Sequence, residues 1–202
     1  MRVRFFLTIS FSLLGIVFMA SCGPDYVPKP RAFYRVQFPE KAYQSFDTTC
    51  PYAFEYPVYA VINPDMKGDA DVCWYNVEYL PFNAKLHLSY KPIVQEDDLS
   101  HLIEDAYTFV QKHNIKAEGI GEQRIQSATN AYGIKYYIAG NTASSIQFFL
   151  TDSTQHFLRA SLYFMAEPNK DSLAPIVQFI EEDINYMIQS FRWKDVDLEN
   201  YR

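Results

Sequence analysis

The chain is poor in cysteine, in clustered positive charge and in long apolar runs, and each shortage excludes a class of protein. Cysteine occurs three times in 202 residues, at Cys22, Cys50 and Cys73. That is too few for a disulfide-built scaffold or a four-cysteine zinc site. Lysine and arginine number 18 against 24 acids, the net charge is −6, and the basic residues do not cluster. A nucleic-acid partner is therefore not expected. The one long apolar run, from Phe5 to Met19, is 15 residues, short of the roughly 20 that span a bilayer as a helix. No Gly-x-Ser-x-Gly, Walker loop, His-Glu-x-x-His or Cys-x-x-Cys is present. The common signatures of hydrolases, nucleotide-binding enzymes, zinc peptidases and thiol oxidoreductases are thus missing, and no cofactor is implied.

Aromatic residues are abundant, with 16 Tyr and 16 Phe in a chain that is 49% hydrophobic. A single domain of about 150 to 180 residues is large enough to bury most of them.

The N-terminus reads as an address. Arg2 and Arg4 precede the apolar run, and Met19-Ala20-Ser21-Cys22 closes it with two small residues before a cysteine. Length and flanks fit a secretory signal. The ending resembles the bacterial lipobox, with Met19 where leucine is usual. That resemblance implies cleavage before Cys22 and acylation of its thiol and new amine. Acyl chains contribute about 0.8 kcal/mol per buried CH₂, so several chains anchor a protein stably. Cleavage removes 21 residues, leaving 181, and takes Arg2 and Arg4 with it, so the net charge moves from −6 to −8. The anchor is then the lipid, not attraction to anionic headgroups. Gly23 follows the cysteine where aspartate would signal inner-membrane retention, and no acidic run follows. The periplasmic face of the outer membrane is the expected location.

Seven of the eleven prolines lie between Pro24 and Pro64. Pro24, Pro28 and Pro30 stiffen the first stretch into an extended tether. Arg31, Phe33, Tyr34, Arg35 and Phe38 follow, too aromatic for an inert spacer. Either they pack on the chain's own domain, or they form a docking strip for a partner, as aromatics and arginine dominate interface hot spots. With Cys22 acylated, Cys50 and Cys73 are the two cysteines left in an exported chain, and such a pair is expected to bond.

Further on, Tyr52 to Ile62 reads as a strand with Pro57 at an edge or bulge. Trp74 to Tyr79 and Lys85 to Lys91 read as a strand pair. Leu86, Leu88 and Tyr90 alternate with polar neighbours, as in a half-buried strand. Asp97 and Asp98 open a helix as N-terminal caps, and Leu99, Leu102, Ile103, Ala106, Phe109 and Val110 form its apolar stripe. Four more strands, Gly119 to Ser127, Gly133 to Ala139, Ser145 to Thr151 and Phe157 to Met165, are joined by connections short enough for hairpins. Asp171 or Ser172 caps a last helix with Pro175 in its first turn. Its stripe is Leu173, Ile176, Val177, Ile180, Ile184, Met187, Ile188 and Phe191.

This order predicts an α+β fold, an antiparallel sheet flanked by helices. The segments are a signal peptide over 1–21, a lipidated tether and aromatic-proline arm over 22–48, one domain over 49–195 and a tail over 196–202. The progression from Tyr52-Ala53-Phe54-Glu55-Tyr56-Pro57 to Ser190-Phe191-Arg192-Trp193 resembles the PsbP-type α/β/α sandwich, a fold that by itself assigns no role. Closer is a similarity to the gliding motility lipoprotein GldD family of Bacteroidetes. It rests on the lipobox at Cys22, on Pro28-Lys29-Pro30-Arg31 with Tyr34-Arg35 and Phe38-Pro39, and on Cys50-Pro51-Tyr52 with Phe54-Glu55-Tyr56-Pro57. Cys73-Trp74 and Ala84 to Lys91 complete it. The resemblance implies an envelope lipoprotein needed for gliding and linked to type IX secretion, whose partners are envelope proteins of that machinery.

The residues offer little catalytic chemistry. His87 and Ser89 share one sheet face, but a nucleophile also needs an orienting carboxylate and an oxyanion hole. A hydrogen-bonded or solvent-facing imidazole is the simpler reading. His101 and Asp105 stand one helical turn apart, and two ligands do not make a metal site. Glu96-Asp97-Asp98 lacks the spaced ligands of a calcium loop. Glu181-Glu182-Asp183 reads as a solvated helix face. The expected protein is a non-catalytic, lipid-anchored scaffold or accessory factor, without metal or cofactor. Two rivals are an envelope-acting hydrolase with a cleft near His87 and a small-ligand-binding lipoprotein with an apolar cavity between sheet and helices.

Overall fold

Alternating apolar side chains build a seven-stranded antiparallel sheet in this computed structural model, which describes residues 36–202 apart from 67, 69, 166–168, 198–200 and 202. Its strands are β3 (Val61–Pro64), β4 (Tyr75–Tyr79), β5 (Ala84–Pro92), β6 (Ala117–Gln126), β7 (Tyr132–Gly140), β8 (Ser144–Thr151) and β9 (His156–Phe164). They run in the order β3-β4-β5-β9-β8-β7-β6. A second sheet holds β1 (Tyr43–Asp47), β2 (Tyr52–Pro57) and β10 (Arg192–Trp193), with β2 central. The helices are α1 (Asp98–Gln111) and α2 (Lys170–Ser190).

The two faces of the large sheet carry different cores. Leu86, Leu88, Tyr90, Leu158, Ala160 and Leu162 point to one side, where they pack with Ile180, Ile184, Met187 and Ile188 of α2 and with Tyr52 and Phe54 of β2. Phe149, Phe157, Tyr136 and Ile138 point to the other, against Ala106 and Val110 of α1. The α+β class with the sheet between helices is therefore as expected. No helix among the described residues is long and apolar enough to cross a membrane.

Four local expectations change. The single strand over Tyr52 to Ile62 is two, β2 and β3, in different sheets. Pro57 has no N–H to continue the ladder, and its carbonyl instead accepts from Ala60 N (3.0 Å) in a turn. Residues 43–47, assigned with the arm, form β1 and pair antiparallel with β2. Val36, Phe38, Lys41 and Tyr43 of the arm also pack on the domain. At α1, Asp97 makes no capping bond, and Asp98 Oδ2 turns back to accept from the N–H groups of Val94 and Gln95 (2.8 Å each). At α2 the cap is Asn169, whose Oδ1 accepts from Ser172 N at 3.3 Å. Pro175 consequently lies beyond the first turn, where the helix goes without one N–H bond.

Candidate functional site

Of the residues singled out for function, Cys22, Arg31, Phe33, Tyr34 and Arg35 lie outside the described residues. Phe38, the last of the aromatic strip, stacks on Phe179 of α2 (centroids 4.5 Å apart) and tilts against Phe82 (5.8 Å), with 40% of its surface exposed. Cys50 and Cys73 are joined, with Cα atoms 5.6 Å apart, within the range a disulfide tolerates.

The acidic run on α2 is not a uniformly solvated face. Asp183 is fully buried. Its Oδ1 accepts from Lys41 Nζ (2.7 Å) and Tyr43 OH (3.1 Å), and its Oδ2 accepts from Tyr59 OH (2.6 Å). Lys41 also donates to the carbonyl of Phe179 (2.6 Å) and lies 3.4 Å over that ring. Burial first, and the Asp183 carboxylate second, push the Tyr43 hydroxyl well above its ordinary range; burial and the bond to Asp183 do the same to Tyr59. Both phenols stay protonated and donate. The reason is helical geometry: position 183 is three after Ile180 and four before Met187, so it falls on the apolar stripe. Lys41 meets it because the arm crosses α2 there. Glu181 is likewise engaged, accepting from the buried Lys135 Nζ (3.2 Å) and from Tyr137 OH (2.7 Å). Only Glu182 of the three is mostly exposed.

The histidines separate by burial. His101 is exposed on α1 beside Asp97 (3.5 Å). His113 falls in the short 3₁₀ turn after α1, and burial lowers its affinity for a proton. His156 is buried, bonded through Nδ1 to Tyr90 OH (2.9 Å) and stacked on Trp193, and burial holds its pKa below the usual imidazole range. Among the described residues no group of three His, Cys, Asp or Glu is placed to hold a metal.

His87 occupies a different setting, a cleft of about 440 Å³ on the face of the large sheet that α1 leaves uncovered. Asp65, Trp74, Ser89, Arg159, Ser161 and Tyr163 line it with His87. The His87 ring meets Tyr163 edge-on at 5.5 Å. Asp65 is a half-buried carboxylate near an imidazole and a hydroxyl. Sequence alone did not bring Asp65, Trp74 and Arg159 to His87, since they arrive from the loop after β3, the loop before β4 and the strand β9.

Strand register arranges a polar row that runs through the cleft and beyond it. Asn76, His87, Ser161 and Gln147 lie directly opposite one another on β4, β5, β9 and β8. Side chains paired this way share one face, so four polar groups form a stripe across four strands. Asn76, Ser161 and Gln147 are each at least nine-tenths buried, and Asn76 Oδ1, Ser161 Oγ and Gln147 Nε2 have no hydrogen-bond partner. A buried unpaired polar group costs about 1–3 kcal/mol. Arg159 lies over the stripe, donating from Nη2 to Gln147 Oε1 (2.9 Å) with its guanidinium 4.3 Å from the Phe109 ring of α1. Burial weakens its hold on the proton, and Tyr163 partly restores it.

A second cleft, about 300 Å³, opens between the N-terminal half of α2 and the end of the large sheet, walled by Ile138, Phe164, Leu173 and Val177. Its mouth is spanned by the ion pair of Lys170 and Glu118 (2.5 Å).

Comparison with known proteins places these features. The sequence profile of a family described as gliding motility lipoprotein GldD matches residues 23–193. No curated protein matches the chain. Among solved structures it is similar to cyanobacterial PsbP (CyanoP) from Synechocystis sp. PCC 6803, with 14% identity, 86% of this chain and 97% of that one covered, and a TM-score of 0.48.

Proposed function

The chain belongs to the gliding motility lipoprotein GldD family, and from that premise we propose that it serves gliding as a non-catalytic scaffold or accessory factor of the type IX secretion-linked machinery. It is a membrane-anchored envelope lipoprotein; in this proposal acylated Cys22 holds it on the periplasmic face of the outer membrane. The observation that carries the reading is the continuous family match over 23–193, which takes in tether, arm and domain together. The Lys41–Asp183 ion pair supports it, because it fastens the described part of the arm to α2 instead of leaving it a loose spacer. In the same proposal the Cys50–Cys73 bond ties the start of β2 to the approach to β4 in the oxidising envelope, and Arg31, Phe33, Tyr34 and Arg35 meet a partner.

Crosslinked pull-down from envelopes tests the reading. The native lipoprotein should capture components of the gliding and secretion machinery, and Cys22→Ser should abolish palmitate incorporation, release the protein and abolish gliding. A released, unacylated variant that still supports gliding would overturn it. One observation favours a hydrolase instead, the shared cleft of His87, Ser89 and Asp65. His87→Ala should leave gliding intact if the protein is a scaffold and abolish it if that cleft is catalytic.

A further inference from the structure

We propose that the polar cleft on the open face of the large sheet is a binding site for an acidic sugar, with Arg159 taking the acid group and Ser161, Ser89 and Asp65 of its lining taking hydroxyls. The inference does not depend on the scaffold role.

Three observations converge. First, the stripe of Asn76, His87, Ser161 and Gln147 is in register across four strands, and three of its four side chains keep a buried polar atom without a partner. An adjacent part of the same face, under α1, is apolar. A sheet face that served packing alone would continue that pattern, whereas here it turns polar toward the cleft, where Ser161, Ser89 and Asp65 suit a ligand with several hydroxyl groups. Of the stripe, His87 and Ser161 line the cleft itself.

Second, Arg159 brings a cation to the site, and among the described residues it forms no ion pair. Gln147, Tyr163 and Phe109 fix its position, and Asp105 attracts its charge without forming an ion pair with it. Guanidinium has five N–H donors in a planar fork, more than Gln147 and Tyr163 engage. The fork matches a carboxylate or phosphate through two parallel bonds.

Third, the walls argue for a sugar ring instead of a bare anion. Trp74, His87 and Tyr163 present aromatic surface, suited to the C–H face of a pyranose. Asp65 also lines the cleft. A carboxylate repels a free oxyanion nearby, but it accepts hydrogen bonds from sugar hydroxyls. Arg159 and Asp65 thus divide the ligand into an acid end and a hydroxyl end. The volume, about 440 Å³, lies within the range of small-molecule sites.

The test titrates the acyl-free chain, starting at residue 22 with Cys22→Ser, and follows amide and indole signals by NMR. The probes are glucuronate, glucose 6-phosphate, glucose and inorganic phosphate. Glucuronate or glucose 6-phosphate should shift the Trp74 indole and the Ser161 and Tyr163 amides saturably. Which of the two binds more tightly identifies the acid group as carboxylate or phosphate. Glucose and inorganic phosphate should bind at least about tenfold more weakly. Arg159→Gln should weaken the acidic sugar by a similar factor. Because Arg159 also packs on α1, Ser161→Ala provides a second variant: it removes an unpartnered hydroxyl, so it should leave the melting temperature unchanged or higher while weakening binding several-fold. No saturable shift with either acidic sugar would overturn the proposal. So would inorganic phosphate binding as tightly as the sugars, glucose binding as tightly as glucuronate, or Ser161→Ala leaving affinity unchanged.

Discussion

Replacing Asp183 with asparagine keeps the volume of the side chain and removes its charge at the junction of arm and α2. In the native protein three donors converge on the two carboxylate oxygens, Lys41 and Tyr43 on one and Tyr59 on the other. The amide has one acceptor oxygen. Turned toward Lys41 and Tyr43, it places its NH₂ against Tyr59, whose hydroxyl must rotate and accept. That inversion costs about 1 kcal/mol. Removing one partner of a buried ion pair costs about 3–5 kcal/mol. Lys41 keeps 25% of its side chain exposed and has Glu182 at 3.6 Å, so it recovers some solvation and the lower end applies. The expected loss is about 3 kcal/mol, which lowers the melting temperature by about 6–12 °C in a chain of this size. Urea unfolding of the acyl-free chain measures it. The double variant Lys41→Met with Asp183→Asn tests the cause: methionine retains the stem over Phe179 and removes the stranded charge, so the double should be more stable than Asp183→Asn alone. A single variant within about 0.5 kcal/mol of the parent, the range of ordinary surface changes, would refute the reasoning. A double variant no better than the single would refute it too.

Reducing the Cys50–Cys73 bond, which closes a loop across 23 residues, should cost about 3 kcal/mol; reductant leaving the melting temperature unchanged, or free thiols in non-reduced peptides of the native lipoprotein, would contradict it. Alkaline titration should be cooperative. Burial raises the pKa of Tyr52 and Tyr79 well above the model-peptide value of 10.0, as burial and Asp183 do for Tyr43 and Tyr59. A raised folded value contributes stability that is complete below the unfolded value and lost as pH rises through the folded one. Tyrosinate absorbance should therefore show a group ionising only as circular dichroism reports unfolding; all 16 Tyr ionising together near pH 10 in a folded chain would count against it. Gly133→Ala should destabilise strongly, because a Cβ there would lie 1.7 Å from the Phe149 carbonyl oxygen; circular-dichroism melts superimposing on the parent would show that the β7–β8 backbone yields. Replacing Phe33, Tyr34 and Arg35 with alanine should leave the melting temperature nearly unchanged and weaken the envelope complex, a hot-spot loss of about 2 kcal/mol or more. Lost stability with an intact complex would assign these residues to the chain's own packing.

The sequence by itself determined the features that depend on near neighbours. Strand β5 follows from period-two alternation, β6 to β9 from strand-like runs between short polar connections, and both helices from apolar stripes at three and four, because these periodicities belong to the backbone. The family resemblance is also carried by contiguous residues. Tertiary structure decided what depends on register and on distant segments. Asp183 looked like part of an acidic surface because its neighbours Glu181 and Glu182 are acids, although its three-and-four spacing from Ile180 and Met187 was the available signal. What makes its burial tolerable, Lys41 and two tyrosines, comes from more than a hundred residues away. Pro57 was legible as an irregularity, but not as the point where the chain changes sheets, since that choice depends on which strand lies alongside. The cleft is the clearest case. His87 and Ser89 are visible in one strand, while Ser161 and Arg159 join them only through antiparallel register, which pairs residues by distance from a turn and leaves no motif in the sequence.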